Sequence, residues 1–140
     1  VIDRRICYSS GYKYQVRNDY VFALPEYYPK DVIYEDKFLS VVDGYCTIHT
    51  GYAGDGASGP AIDTATFMRG AWQHDAIYQL LRMGVFPQEY RGAADRQLVD
   101  TCKEDGMIWP RRQWVYYTLK YFGAKAAKPK SKKKLLWSPS

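Results

Sequence analysis

Little in this sequence could serve as a covalent or metallic staple. Its three cysteines, Cys7, Cys46 and Cys102, are odd in number, far apart and form no CxxC pair. That argues against a zinc ribbon or a disulfide framework, and suits a reduced environment or indifference to redox state. Long apolar runs are also missing. None nears the roughly 18 residues that a membrane span requires, so no transmembrane segment is expected. No secretory leader is visible, and the chain begins at Val1 rather than at a methionine, which leaves processing upstream open. Acidic residues are absent from positions 125–140, which hold six of the 20 basic residues. The other 14 basic residues face 15 acidic ones, a net of −1, so the overall +5 belongs to a cationic tail on a near-neutral body.

What is present is the composition of a globular protein. Of 140 residues, 46% are hydrophobic and 25% charged, enough for one domain with a real core. Aromatics reach 16%, chiefly through 14 tyrosines, which suits strands and amphipathic interfaces. Residues 12–50 read as a β region. "YKYQV" (12–16) and "YVFAL" (20–24) are strand-like around a polar "RND" break, and "FLSVVDGYCTIHT" (38–50) carries Asp43-Gly44, a favoured type I′ pair between β-formers. Residues 51–63 form a glycine-rich loop. "GYAGDGASGPAI" (51–62) has five glycines or prolines in twelve residues, which predicts irregular backbone open to close approach by a ligand.

Residues 64–123 predict a three-helix core. The first helix spans about 64–83, N-capped by Asp63 or Thr64 and stopped by Gly84. The second spans about 88–104 behind Pro87, and the third about 110–122 with Gly123 as its stop. The short link between the first two predicts an antiparallel pair. The expected architecture is therefore a single α+β domain over residues 1–123, followed by a flexible lysine-rich tail, 124–140.

Two adjacent ionisable groups stand in the middle of the first helix, in "GAWQHDAIYQLL" (70–81). Phe67, Ala71, His74, Tyr78 and Leu81 share one face by 3,4 spacing, so His74 turns inward. Asp95 lies on the apolar stripe of the second helix with Leu98, Val99 and Cys102. An inward carboxylate needs a partner, and an antiparallel pairing brings Asp95 to His74. A carboxylate on one ring nitrogen leaves the other free as a general base. Asp75 can reach toward the glycine-rich loop, where Asp55 is the only carboxylate; such oxygen ligands suit a hard cation such as calcium. Each residue also has a plainer reading. His74 suits a bond to a backbone carbonyl, Asp95 an ion pair with Arg69, Arg91 or Arg96, Asp55 a turn, and Tyr78 the core with its hydroxyl on Asp95.

The stretches "GYAGDGASGPAIDTATFMRGAWQHDAIYQLLRMG" and "YRGAADRQLVDTCKEDGM" resemble a family of uncharacterised proteins encoded by bacteriophages and prophages, over residues 12–123. A second, more distant likeness covers residues 55–123. Asp55-Gly56-x-Ser58, then Pro60, Asp63 and Phe67, then His74-Asp75-x-x-Tyr78, then Asp95, with "WVYYTLKYFG" (114–123) as a closing helix, resembles the small prokaryotic and fungal type of secreted phospholipase A2. That resemblance implies His74 as the base activating a water, Asp95 as its orienting partner and Tyr78 as support. It implies calcium on Asp55, Asp75 and the main-chain carbonyl of Gly56, and an ester substrate. The chain departs from those enzymes in lacking cysteines at the matching places and in carrying β structure where they carry helices.

Two functions are expected from these readings. One is a phage-encoded, calcium-dependent hydrolase of phospholipid or another component of the bacterial envelope, with the lysine tail and Leu135, Leu136 and Trp137 at the lipid surface. The other is a structural or assembly component of the particle, in a tail or baseplate, that contacts other phage structural proteins through the same fold without catalysis. Either implies a place in the virion or in the host cytoplasm during infection. Nucleic acid is expected only through the lysine tail, because the body is not basic and no helix bears a cationic stripe with interleaved aromatics.

Overall fold

Asp43 and Gly44 both adopt positive φ, 51° and 80°, the backbone of a type I′ turn. They join β5 (Leu39–Val42) to β6 (Tyr45–Ile48) in the two-residue hairpin that the sequence predicts, with Val42 opposite Tyr45. The computed structural model describes residues 6, 8–9, 14–26, 28–54 and 65–126. They fall into two compact units, one through Gly54 and one from Ala65. The class is α+β, as expected from the sequence.

In the first unit, β3 (Tyr20–Ala23) and β4 (Tyr34–Glu35) complete an antiparallel sheet of order β3-β6-β5-β4. Period-two alternation sets its two faces. The register aligns Tyr20 with Ile48 and Leu39, and Phe22 with Cys46 and Val41, and all six are buried. Burial of each such side chain contributes about 1.5–3 kcal/mol, so a slip of one residue would turn the whole layer outward. A second antiparallel sheet, of order β1-β2-β7, joins β1 (Tyr8–Ser9), β2 (Tyr14–Val16) and β7 (Ala53–Gly54). The two strands read on either side of "RND" thus belong to different sheets. Strand β7 corrects the reading of 51–62 as wholly irregular: Ala53 and Gly54 gain their conformation by pairing with Gln15 and Tyr14, not from any local propensity.

The second unit contains α1 (Ala65–Arg82), α2 (Arg91–Glu104) and α3 (Trp109–Ala126). Gly84 and Gly106, at φ 76° and 95°, end the first two helices. In each case the glycine N–H reaches back three residues and the next N–H five, Val85 to the Leu80 carbonyl and Met107 to that of Cys102. Both are Schellman stops, for which glycine is suited. Two boundaries differ from expectation. Residues 88–90 form a 3-10 turn ahead of α2. Helix α3 runs through Gly123 to Ala126, because an interior glycine costs only about 1 kcal/mol and Ala124, Lys125 and Ala126 all favour helix. The expected caps Asp63 and Thr64 lie outside the described residues.

Contacts between α1 and α2 show their direction. Arg69 meets Asp105, Gln73 meets Thr101, and Tyr78 meets Asp95, so one number falls as the other rises and the helices are antiparallel. Gly70 permits the approach. A Cβ there would stand 2.6 Å from Leu98 Cδ1, 3.2 Å from the Leu98 carbonyl oxygen and 3.4 Å from Cys102 Sγ. Helix α3 packs against α2. From Ala76 to Arg82 every residue of α1 is buried, so α1 is a central helix and not one with a single apolar stripe. Cys46 and Cys102 are free and fully buried; burial pushes the Cys102 thiol up to about 12, and both act as small apolar packing groups.

Gly70→Ala tests the helix contact. The new methyl meets backbone as well as side chain, so urea unfolding should show a loss of about 1–3 kcal/mol despite alanine's better helix propensity. A neutral or stabilised variant would contradict the close approach.

Candidate functional site

The seam between α1 and α2 carries polar contacts at three levels around the close approach of Gly70 to Leu98 and Cys102. At one end Arg69 donates to both carboxylate oxygens of Asp105, at 2.9–3.2 Å, and to Glu104 at 2.9 Å. In the middle, buried Thr101 donates to Gln73 at 2.9 Å. Further along, α1 presents His74 and Tyr78 one turn apart toward Asp95 on α2.

Asp95 is buried and accepts three donors. His74 Nε2 lies 2.8 Å from its Oδ1, the Tyr78 hydroxyl donates to the same oxygen at 2.6 Å, and Arg91 donates to Oδ2 at 3.3 Å. The His74 and Tyr78 rings lie 4.0 Å apart between centroids. The structure thus brings together the three residues expected to act as a unit. It also realises one plainer reading, the ion pair of Asp95 with Arg91, alongside the histidine contact. The signal for Arg91 was its spacing of four from Asp95 on one helix face. Arg69, another of the three candidate partners, is engaged by Glu104 and Asp105.

The chemistry follows from who can donate. An ionised carboxylate only accepts hydrogen bonds, so Nε2 carries the His74 proton and neutral His74 keeps its lone pair on Nδ1. Among the described residues none bonds to Nδ1. The His74 side chain is 12% exposed against 6% for Asp95, so the histidine is the more open member of the pair. Tyr78 is not a second base. Burial, and then the charge of Asp95 beside it, push its phenol far above the ordinary tyrosine range. It stays protonated and donates to Asp95.

Asp75 follows His74 on α1 and is half-buried. Its carboxylate is a hard oxygen donor, the ligand type that the expected calcium would require. The other expected ligands, Asp55 and Gly56, lie outside the described residues, as does most of the glycine-rich loop. Among the described residues no three histidine, cysteine or acidic side chains are grouped to hold a metal.

Removing Asp95 as Asp95→Ala strips three donors of their common acceptor, and breaking a buried pair in this way costs about 3–5 kcal/mol. Tyr78→Phe removes one bond of three and should cost about 1–2 kcal/mol in urea melts. The sign with pH follows from the raised phenol. Unfolded, Tyr78 ionises near pH 10; folded, it does not, so its contribution is complete below pH 10 and declines above it. Tyr78→Phe should therefore flatten the alkaline fall in stability relative to the parent chain; an unchanged alkaline limb would contradict the buried donor. Compared with known proteins, the chain matches no family model, no curated protein and no solved structure.

Proposed function

We propose that this chain is a phage-encoded ester hydrolase of the phospholipase A2 type, acting on phospholipid of the bacterial envelope. The observation that carries the reading is His74 Nε2 on the buried Asp95 carboxylate, with Nδ1 left as a base. In the proposed reaction Nδ1 takes a proton from water as the water oxygen attacks the ester carbonyl. Asp95 stabilises the imidazolium and fixes the ring, while Tyr78 and Arg91 hold Asp95. The imidazolium then returns the proton to the departing alcohol. Calcium, held by Asp55, Asp75 and the main-chain carbonyl of Gly56, would supply positive charge to polarise the carbonyl.

Helix α3 supports a lipid substrate. Trp109, Trp114 and Tyr117 on α3, and Ile108 just before it, are exposed at 62%, 42%, 51% and 69%. No acidic residue follows Asp105, whereas Arg111, Arg112, Lys120 and the tail lysines do. Exposed tryptophan and tyrosine among cations suit the interface of an anionic membrane, where each basic residue near the surface contributes about 1 kcal/mol. A second reading, a non-catalytic component of the particle, is favoured by another observation: Ile33, Val42 and Tyr45 are exposed on the β unit, as on a surface meant for a protein partner.

The test is release of fatty acid from phosphatidylglycerol vesicles with calcium or with chelator. Activity should require calcium and fall by about 10²–10⁴-fold in His74→Ala, the usual worth of a general base. Folded protein that turns over no lipid with any divalent cation would sink the enzymatic reading in favour of the structural one. Independently, Trp109→Ala with Trp114→Ala should weaken sedimentation with anionic vesicles at least tenfold and leave binding to neutral vesicles weak. Unchanged sedimentation would remove α3 from the lipid surface.

A further inference from the structure

The chain has only two histidines. The second, His49, belongs to a separate cluster on the β unit. Ser40 stands directly opposite Thr47 in the β5–β6 register, on the face away from buried Leu39 and Val41. The His49 N–H continues the ladder to the Phe38 carbonyl at 2.8 Å, so His49 shares the face of Thr47 and lies diagonal to Ser40. On the other side of β6, Tyr20 pairs with Ile48, which sets Asp19 beside His49. Residues far apart in sequence thus line up across three neighbouring strands.

Their side chains connect in one order. Ser40 Oγ and His49 Nε2 are hydrogen-bonded at 2.5 Å, and His49 Nδ1 lies 3.2 Å from Asp19 Oδ2. The other Asp19 oxygen accepts the Thr50 N–H at 2.8 Å and the Thr50 hydroxyl at 3.0 Å. The Thr50 backbone donor above all holds the Asp19 carboxyl below its ordinary range, so it is ionised at neutral pH. An acceptor-only Asp19 requires the proton of His49 on Nδ1. Nε2 is then a lone pair and Ser40 is the donor.

We propose that Ser40, His49 and Asp19 form a serine nucleophile relay on the open face of the four-stranded sheet, able to take the acyl group of a carboxylic ester. This is the connectivity by which a base activates a hydroxyl and a carboxylate orients the base. Ser40 Oγ bonds to the carbonyl carbon as its proton passes to His49 Nε2. The ester C–O bond then breaks and the alcohol leaves with that proton. Water, deprotonated by the same nitrogen, releases the acid and restores Ser40. Thr47, opposite Ser40, puts a second hydroxyl on this face, suited to donate to the carbonyl oxygen. Glu35, paired with Ser40 on the β4 side, and Asp19 make the surroundings acidic. The fitting substrate is therefore a small uncharged ester, not an anionic lipid.

The full-length chain is treated with a fluorophosphonate in the presence of chelator, and the modified peptide is mapped by mass spectrometry. The relay predicts one equivalent on Ser40, none in Ser40→Ala, and labelling slowed at least tenfold in His49→Gln and in Asp19→Asn, each checked for folding by circular dichroism. It also predicts slow hydrolysis of p-nitrophenyl acetate that follows the same order. Folded protein that takes no label, a label on another residue, or a Ser40 label indifferent to His49→Gln would each overturn the proposal. Because the readout needs neither calcium nor lipid and maps to a residue, its failure is separate from failure of the His74 reading.

Discussion

A buried carboxylate governs the helical unit. Moving an ion such as Asp95 out of water carries a penalty of several kcal/mol unless donors replace the lost hydration. Three donors do so here, two from α1 and one from α2 itself. His74 and Tyr78 are four apart on α1, so a single carboxylate oxygen can meet both only when the helices stand at one register. Gly70 lets the backbones come near enough for that register. The bonds of Arg69 with Asp105 and of Gln73 with Thr101 fix it elsewhere along the seam. Apolar contacts alone would tolerate sliding; a ladder of directional bonds does not.

The interaction that orders the helices also sets the tautomer of His74. Asp95 compels His74 to carry its proton on Nε2, and Tyr78 and Arg91 keep Asp95 from turning. A phenylalanine at 78 would fill the space yet leave one lone pair of the carboxylate dry. Structural and catalytic readings of these residues are therefore not rivals: a carboxylate held firmly enough to stabilise the fold is also held firmly enough to orient an imidazole. What distinguishes a base from a core histidine is the second ring nitrogen, and on His74 it is unclaimed among the described residues.

Features governed by local rules were legible in the sequence. Helical periodicity placed His74, Tyr78 and Asp95 on facing stripes, and glycine stops placed the ends of α1 and α2. The Asp43-Gly44 turn fixed one hairpin and its register. Features governed by distant pairing were not legible. Nothing local tells that β2 and β3, three residues apart, join different sheets, or that Ala53 and Gly54 become a strand by lying against β2. Gly123 misled because a weak local penalty yields to good helix formers around it. Asp55 and Gly56, two of the three expected cation ligands, lie outside the described residues. Ser40, His49 and Asp19 carry no motif at all; only the register of three strands makes them neighbours.

The two histidines answer the same problem in opposite senses. His74 gives Nε2 to a carboxylate and keeps Nδ1, whereas His49 gives Nδ1 and turns Nε2 to a serine. Their surroundings differ as much as their tautomers. The Asp95 side chain is 6% exposed and that of Asp19 58%. An imidazolium formed beside Asp95 would face a charge that salt screens little, and one formed beside Asp19 a charge that salt screens strongly. The buried pair keeps its geometry through the bonds of Tyr78 and Arg91 to Asp95. The exposed pair depends on Thr50 to anchor Asp19 through two bonds and on the β ladder to hold His49. Salt should accordingly distinguish the two proposed sites: activity at His74 would be the more tolerant of ionic strength and activity at Ser40 the more sensitive, because of the two orienting carboxylates Asp19 is the one that faces water.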